Sequence, residues 1–309
     1  MGKLDNIVAK GKLSLGLVFP IEAYEGAIPK MENQEQLAKR AEELGFQSLW
    51  FRDVPLLDPT FGDAGQTYDP WVYMAHIMNH TNTIALATGS IILPLRHPIH
   101  TVKSIASLQQ LSNGRIIIGV ASGDRPLEYP AFDQELDNRS ALFRDNFSYI
   151  KALQGSFPRH QSDYYGSIGG NADLLPKTNH ITPLLVTGHS GQSLEWIAQH
   201  GDGWVYYPRS IHFLKLIMED WYAALEKTKQ TWKPFLQSLY IDLQENDDVP
   251  PSKIHLGMKC GVSYLLEFLK TLEACGVNHV VFNLKFSTRP VGEVLEQLGE
   301  EVVPYFTES

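Results

Sequence analysis

Eight times along the chain, a short apolar run is followed by a longer segment whose apolar residues recur three and four positions apart. The first pattern belongs to buried strands and the second to helices packed on one face. The strand-like runs are Leu13–Phe19, Ser48–Phe51, Ile84–Leu93, Arg115–Val120, Leu184–Thr187, Gly203–Tyr207, Leu239–Leu243 and His279–Leu284. The helical segments are Gln34–Leu44, Trp71–Asn79, Ile99–Leu111, Arg139–Leu153, Gln192–His200, Phe213–Thr231, Val262–Cys275 and Val291–Val303. Strands that alternate strictly with helices pair in parallel, and eight such units predict an α/β fold closed as a (β/α)8 barrel. An open doubly wound sheet is the alternative. It usually has fewer strands, and no Gly-x-Gly-x-x-Gly follows the first strand here.

Two stretches interrupt the rhythm. Gln154–Pro183, rich in Gly, Ser, Asp, Asn and Tyr, reads as an insertion after the fourth helix, with room for a short hairpin. Gln244–Gly257 is a second polar insertion, after the seventh strand. No repeat, linker or low-complexity tract divides the chain. The 309 residues therefore read as one domain spanning 1–309, a usual size for a barrel with insertions.

Composition narrows the function. A formal charge of -9 with scattered basic residues argues against nucleic-acid binding, which needs a basic face. No apolar stretch approaches the ~20 residues of a membrane helix, and the N-terminus lacks a signal pattern. The two cysteines, Cys260 and Cys275, have no metal or disulfide spacing and read as buried packing residues of a cytoplasmic protein. None of the eleven histidines sits in an H-E-x-x-H pattern, so no metal is expected, and no G-x-S-x-G elbow is present.

In a barrel, chemistry sits where strands end. Asp53 closes the second strand, where it suits either acid–base work or an ion pair with a neighbouring arginine. Thr88-Gly89-Ser90 places small residues inside the third strand, as a bulge or a close approach of backbone to a flat ring. Ser122 and Asp124 follow the fourth strand. Gly188-His189-Ser190-Gly191-Gln192-Ser193 joins the fifth strand to its helix. That loop admits two readings, a tight turn with a serine N-cap or a backbone cradle for phosphate. His97, just before Pro98, reads as a helix-start residue. Phe19, Tyr24 and Trp50 are candidate apolar walls for a substrate.

Four segments carry a resemblance: Ala38–Asp53, Ala87–Ile99, Ser107–Gly123 and Pro183–Trp204. Their L-P-x-x-H-P, L-x-x-L-S-x-G-R, G-x-x-x-G and G-D-G-W motifs, in this order and spacing, resemble the luciferase-like monooxygenases. The resemblance implies a barrel holding reduced FMN at its C-terminal mouth, usually as a homodimer. It also implies a non-proline cis peptide at Gly89–Ser90, cofactor contacts from Ser122 to Asp124, and a phosphate-contacting loop at Gly188–Ser193. Three departures from the larger subunit of bacterial luciferase argue against light emission. Val54 replaces its catalytic histidine, Ser122 its phosphate-binding arginine, and Ala121 its reactive cysteine. Arg125 or the Gly188–Ser193 loop would have to take over the phosphate.

The function so implied is oxygenation of a small organic substrate by reduced FMN and O2, with the flavin supplied by a separate NAD(P)H:flavin reductase. The cofactor carries the chemistry while the protein positions it and excludes water. The alternatives are a deazaflavin-dependent hydride-transfer oxidoreductase and a flavin-binding relative without turnover.

Overall fold

The computed structural model describes residues 3–61, 65–178 and 180–307. Eight parallel strands form the barrel: β1 (Ser14–Val18), β2 (Ser48–Phe51), β3 (Ala85–Ile92), β4 (Ile116–Ala121), β5 (Leu184–Thr187), β6 (Gly203–Tyr206), β7 (Phe235–Leu243) and β8 (His279–Asn283). Each pairs with the next. The ring closes where Ser14 of β1 lies opposite His279 of β8. The eight-unit barrel expected from the alternation is the fold observed.

Helices α1 (Gln34–Glu43), α2 (Pro70–Met78), α3 (Pro98–Leu111), α4 (Arg139–Leu153), α5 (Leu194–His200), α6 (Ile211–Lys227), α7 (Val262–Ala274) and α8 (Val291–Glu301) surround it. Their starts follow local chemistry. Asp69 accepts from the N–H groups of Trp71 and Val72 ahead of Pro70, and the His97 ring accepts from Ile99 ahead of Pro98. The helix-start reading of His97 is thus the observed geometry.

Because successive strand residues face opposite sides, β1 sends Leu13, Leu15, Leu17 and Phe19 outward beneath the helices. The inward set is smaller and includes Trp50, Ala85, Ala87, Ile117, Leu185, Val205, Leu236 and Val281. A Cβ at Gly16 would meet Ser48 Oγ and His279 Nε2, and one at Gly119 would meet the Thr88 carbonyl. Gly16 thus makes room for Ser48 and His279, and Gly119 for the close approach of the β3 backbone. The short helix Lys3–Ile7 closes the N-terminal end, where Leu4, Ile7 and Val8 join the interior cluster.

At that closed end His279 is fully buried, its Nδ1 2.6 Å from Ser14 Oγ and its Nε2 2.6 Å from Ser48 Oγ. Trp50 Nε1 donates to Ser48 Oγ at 2.7 Å, and Ser14 Oγ donates to the Ile7 carbonyl. Ser48 therefore has its proton left for Nε2, and Nδ1 is the nitrogen that carries hydrogen. The ring is neutral, and burial pushes its pKa down to about 3.

Three details differ from the sequence reading. β7 begins at Phe235 rather than Leu239, because the polar Gln237 and Ser238 break the apolar run although Gln237 is buried. The second insertion reaches Cys260, where the hairpin Ser252–Ile254/Gly257–Cys260 adds to the end of β7. Cys260 is buried, but Cys275, at the end of α7, is only half-buried. The first insertion carries the expected hairpin, Arg159–Gln161 with Ser167–Gly169.

Candidate active site

Burial gives way at the C-terminal ends of the strands: Val18, Ala121, Thr187 and Tyr206 are each the first partly exposed residue of an otherwise buried strand. β3 opens earlier. Gly89 is exposed although the residues on both sides of it are buried. The Gly89–Ser90 peptide is cis, as the resemblance implied, and the register with β4 shifts between Thr88 and Ile91. A Cβ on Gly89 would lie 2.9 Å from Trp50 Cε3. The indole, held by Ser48 and stacked over His279, thus supports bare backbone at the barrel mouth. A planar ring can lie on such a surface without meeting a side chain.

Polar contacts fasten the neighbouring strand ends together. Ser90 Oγ and Thr187 Oγ1 share a hydrogen bond of 2.5 Å. Ser190 Oγ donates to the Thr187 carbonyl at 2.9 Å and accepts from the Ser122 N–H at 3.2 Å. The Tyr129 hydroxyl donates to the Ser122 carbonyl. Ser90, Ser122, Thr187 and Ser190 are therefore brought together at one side of the mouth, with Asp124 exposed beside them.

The loop after β5 has positive φ at Gly188 (56°), Ser190 (48°) and Gly191 (70°). It is clamped to the start of α4: Ser140 Oγ donates to the Gly191 carbonyl at 2.7 Å and Arg144 Nε to Gln192 Oε1 at 2.8 Å. His189 and Ser193 face solvent. Ser193 is the N-cap of α5, accepting from the Trp196 N–H at 3.2 Å. The capping turn is the geometry observed at Ser193, and within the loop the Gly188 and Gln192 N–H groups donate to the carbonyls of Val205 and His189.

Asp53 lies elsewhere. Its carboxylate is buried, accepts two hydrogen bonds from Arg96 (2.8 and 2.7 Å) and a third from the Ile92 N–H at 3.0 Å. Asn146 of α4 supports the same corner, donating to the carbonyls of Leu93 and Arg96. Glu128 is a further buried carboxyl, its pKa raised by burial and opposed by Arg125, whose Nη1 is 3.9 Å away.

The three apolar candidates separate. Trp50 supports the mouth from below. Tyr24 is half-buried in the loop after β1, its N–H donating to the Lys285 carbonyl and its ring 4.6 Å from Lys285 Nζ. Phe19 faces outward and is fully buried against Phe51 and Tyr73, so it builds the layer under α2 and not a pocket wall. Lys285 is buried after β8 and donates to the Gly26 carbonyl at 2.8 Å. Sequence reasoning missed Tyr240 and His255, which form an aromatic group with Phe286. Nothing local marked His255, which comes from the second insertion.

The family profile of luciferase-like monooxygenases matches residues 13–239. The chain belongs to the luciferase-like monooxygenase family. An uncharacterized protein of Mycobacterium bovis is 31% identical over 209 residues, 60% of this chain and 73% of that protein. The alkanal monooxygenase alpha chain of Photorhabdus luminescens is 25% identical over 169 residues, 54% of this chain and 45% of its own length. Among solved structures, an F420-dependent secondary alcohol dehydrogenase bound to an F420-acetone adduct superposes with a TM-score of 0.77 at 17% identity, covering 95% of this chain and 98% of that one. The oxygenating constituent of 3,6-diketocamphane monooxygenase from Pseudomonas putida, in complex with FMN, gives 0.73 at 15% identity, covering 95% and 98%. At those identities the likeness is one of fold. The family assignment makes the chain an oxidoreductase that uses a flavin-type cofactor. No helix among the described residues is long and apolar enough to cross a membrane, and none of their His, Cys, Asp and Glu side chains cluster as a metal site.

Proposed function

We propose that this luciferase-like oxidoreductase is an FMN-dependent monooxygenase acting on a small organic substrate. The observation that carries the reading is Gly89, exposed in the middle of a buried strand at the barrel mouth and supported from below by Trp50. Reduced FMN, when bound, supplies the electrons with which O2 delivers an oxygen atom to the substrate. The protein's share is placement. Gly89 and Ser90 receive the ring, Ser122 and Asp124 border it, and the arc from Gly188 through His189, Ser190 and Gly191 to Ser193 meets the phosphate. Asp53 acts as a positioning residue, since the three hydrogen bonds it accepts fix Ile92, the last residue of β3, and Arg96 in the turn that follows. Tyr24 walls the substrate on the β1 side, and Tyr240 and Phe286 extend that wall at β7 and β8. A separate NAD(P)H:flavin reductase supplies the flavin to a cytoplasmic homodimer.

A second reading has support of its own: the F420-dependent dehydrogenase superposes as well as the FMN-bound enzyme does. In that reading the same backbone surface receives a deazaflavin and hydride transfer proceeds without O2. Anaerobic titration of the purified protein with reduced FMN and with reduced F420, followed by admission of air, separates the two. Tight binding of reduced FMN with O2-dependent product formation in a substrate screen is the expected result. Selective binding of F420 with no dependence on O2 would overturn the first reading in favour of the second.

A further inference from the structure

Far from the mouth, at the N-terminal ends of the strands, a cavity of about 490 Å³ opens between helix Lys3–Ile7, the segment entering β3, the turn after α3 and the end of the first insertion. Asn82, Thr83, Gln110 and Asn113 line it with amide and hydroxyl groups, and Lys3 and Arg115 supply its cations. No carboxylate is among the lining residues.

One carboxylate, Glu42, faces the two cations there. Arg115 is 7% exposed and donates only to neutral acceptors, the carbonyls of Ser112 (3.1 Å), Ile84 (3.3 Å) and Met78 (3.0 Å) and the Thr81 hydroxyl (2.9 Å). Lys3 has no hydrogen-bond or ion-pair partner among the described residues. Burial first and the charge of Arg115 second hold its pKa below the usual lysine value. Glu42 accepts from the N–H groups of Asn82, Thr83 and Ile84 and attracts both cations, which leaves one net positive charge. Two cations against one carboxylate, with no carboxylate among the cavity's own walls, leave a net positive charge at its edge that a bound anion neutralises.

We infer that this cavity binds a small phosphorylated molecule, with Lys3 and Arg115 as counter-charges and the Asn and Gln side chains taking its polar groups. The site is separate from the barrel mouth and does not depend on the identity of the cofactor.

The test is thermal unfolding of the full chain with inorganic phosphate as the probe, against sodium chloride at matched ionic strength. A ligand at ten times its dissociation constant stabilises the folded state measurably, so phosphate is expected to raise Tm by roughly 2 °C or more over the chloride control. Lys3→Gln and Gln110→Glu, the second placing a carboxylate in the cavity, are each expected to abolish that difference while leaving flavin binding unchanged. Amide shifts of Thr83 and Gly114 on phosphate addition report the location even if a variant folds poorly. Overturning results are no phosphate-specific shift in the wild type, a shift that survives both substitutions, or amide changes confined to the mouth.

Discussion

Arg96 holds Asp53 with two nitrogens at 2.7 and 2.8 Å, and the Asp53 side chain is 1% exposed while that of Arg96 is 23% exposed. The pair joins the segment after β2 to the turn after β3. Removing the carboxylate leaves a largely buried guanidinium with only Asp69, at 3.1 Å, to balance it. Asp53→Ala is therefore expected to lower unfolding free energy by about 3 kcal/mol, near the low end for breaking a buried pair. Urea denaturation checks this. A change under about 0.5 kcal/mol would mean the pair holds nothing in place.

Gly89→Ala addresses the ring surface. The added Cβ would stand 2.9 Å from Trp50, whose ring is fixed by Ser48 and His279, so it displaces either the indole or the strand. Flavin affinity is expected to fall at least about tenfold, or about 1.4 kcal/mol. Fluorescence titration measures it, with circular dichroism verifying the fold. Unchanged affinity would remove Gly89 from the site.

Ser190 and Ser193 should part company. Ser193→Ala removes an N-cap and is expected to lower stability by about 1 kcal/mol. Ser190→Ala cuts the link between the loops after β4 and β5 and is expected to weaken FMN binding several-fold, with little effect on riboflavin, which lacks the phosphate. Equal losses for both flavins would mean that this loop does not meet the phosphate.

His279 makes stability depend on pH. Its folded pKa is lowered to about 3 from the ordinary histidine value of 6.5, so below pH 6.5 the unfolded chain binds a proton that the folded chain refuses. Its contribution is complete above pH 6.5 and is lost as pH falls toward 3, at up to about 1.4 kcal/mol per pH unit. Urea denaturation at pH 7, 6 and 5 follows the slope. His279→Gln should flatten it by one proton's worth, and an identical slope in the variant would assign the effect to other groups.

The order of strands and helices, the helix start at His97, and the small residues at Gly89 and Gly188 were legible in the sequence because each depends on near neighbours. Periodicity, capping and backbone freedom act over a few residues, and a parallel eight-unit alternation has few ways to close. The family motifs added the cis Gly89–Ser90 peptide, which no local pattern would have disclosed. What the sequence left open was partnership. Asp53 finds Arg96 across 43 positions, Ser122 finds Ser190 across 68, and His279 meets Ser14 and Ser48 across 265 and 231. Phe19, one residue past a strand with regular alternation, turned outward because parity along β1 put it on the helix side with Leu15 and Leu17. Such contacts exist only once the barrel has closed, since closure alone sets which strand ends stand side by side and which side chains share the space between them.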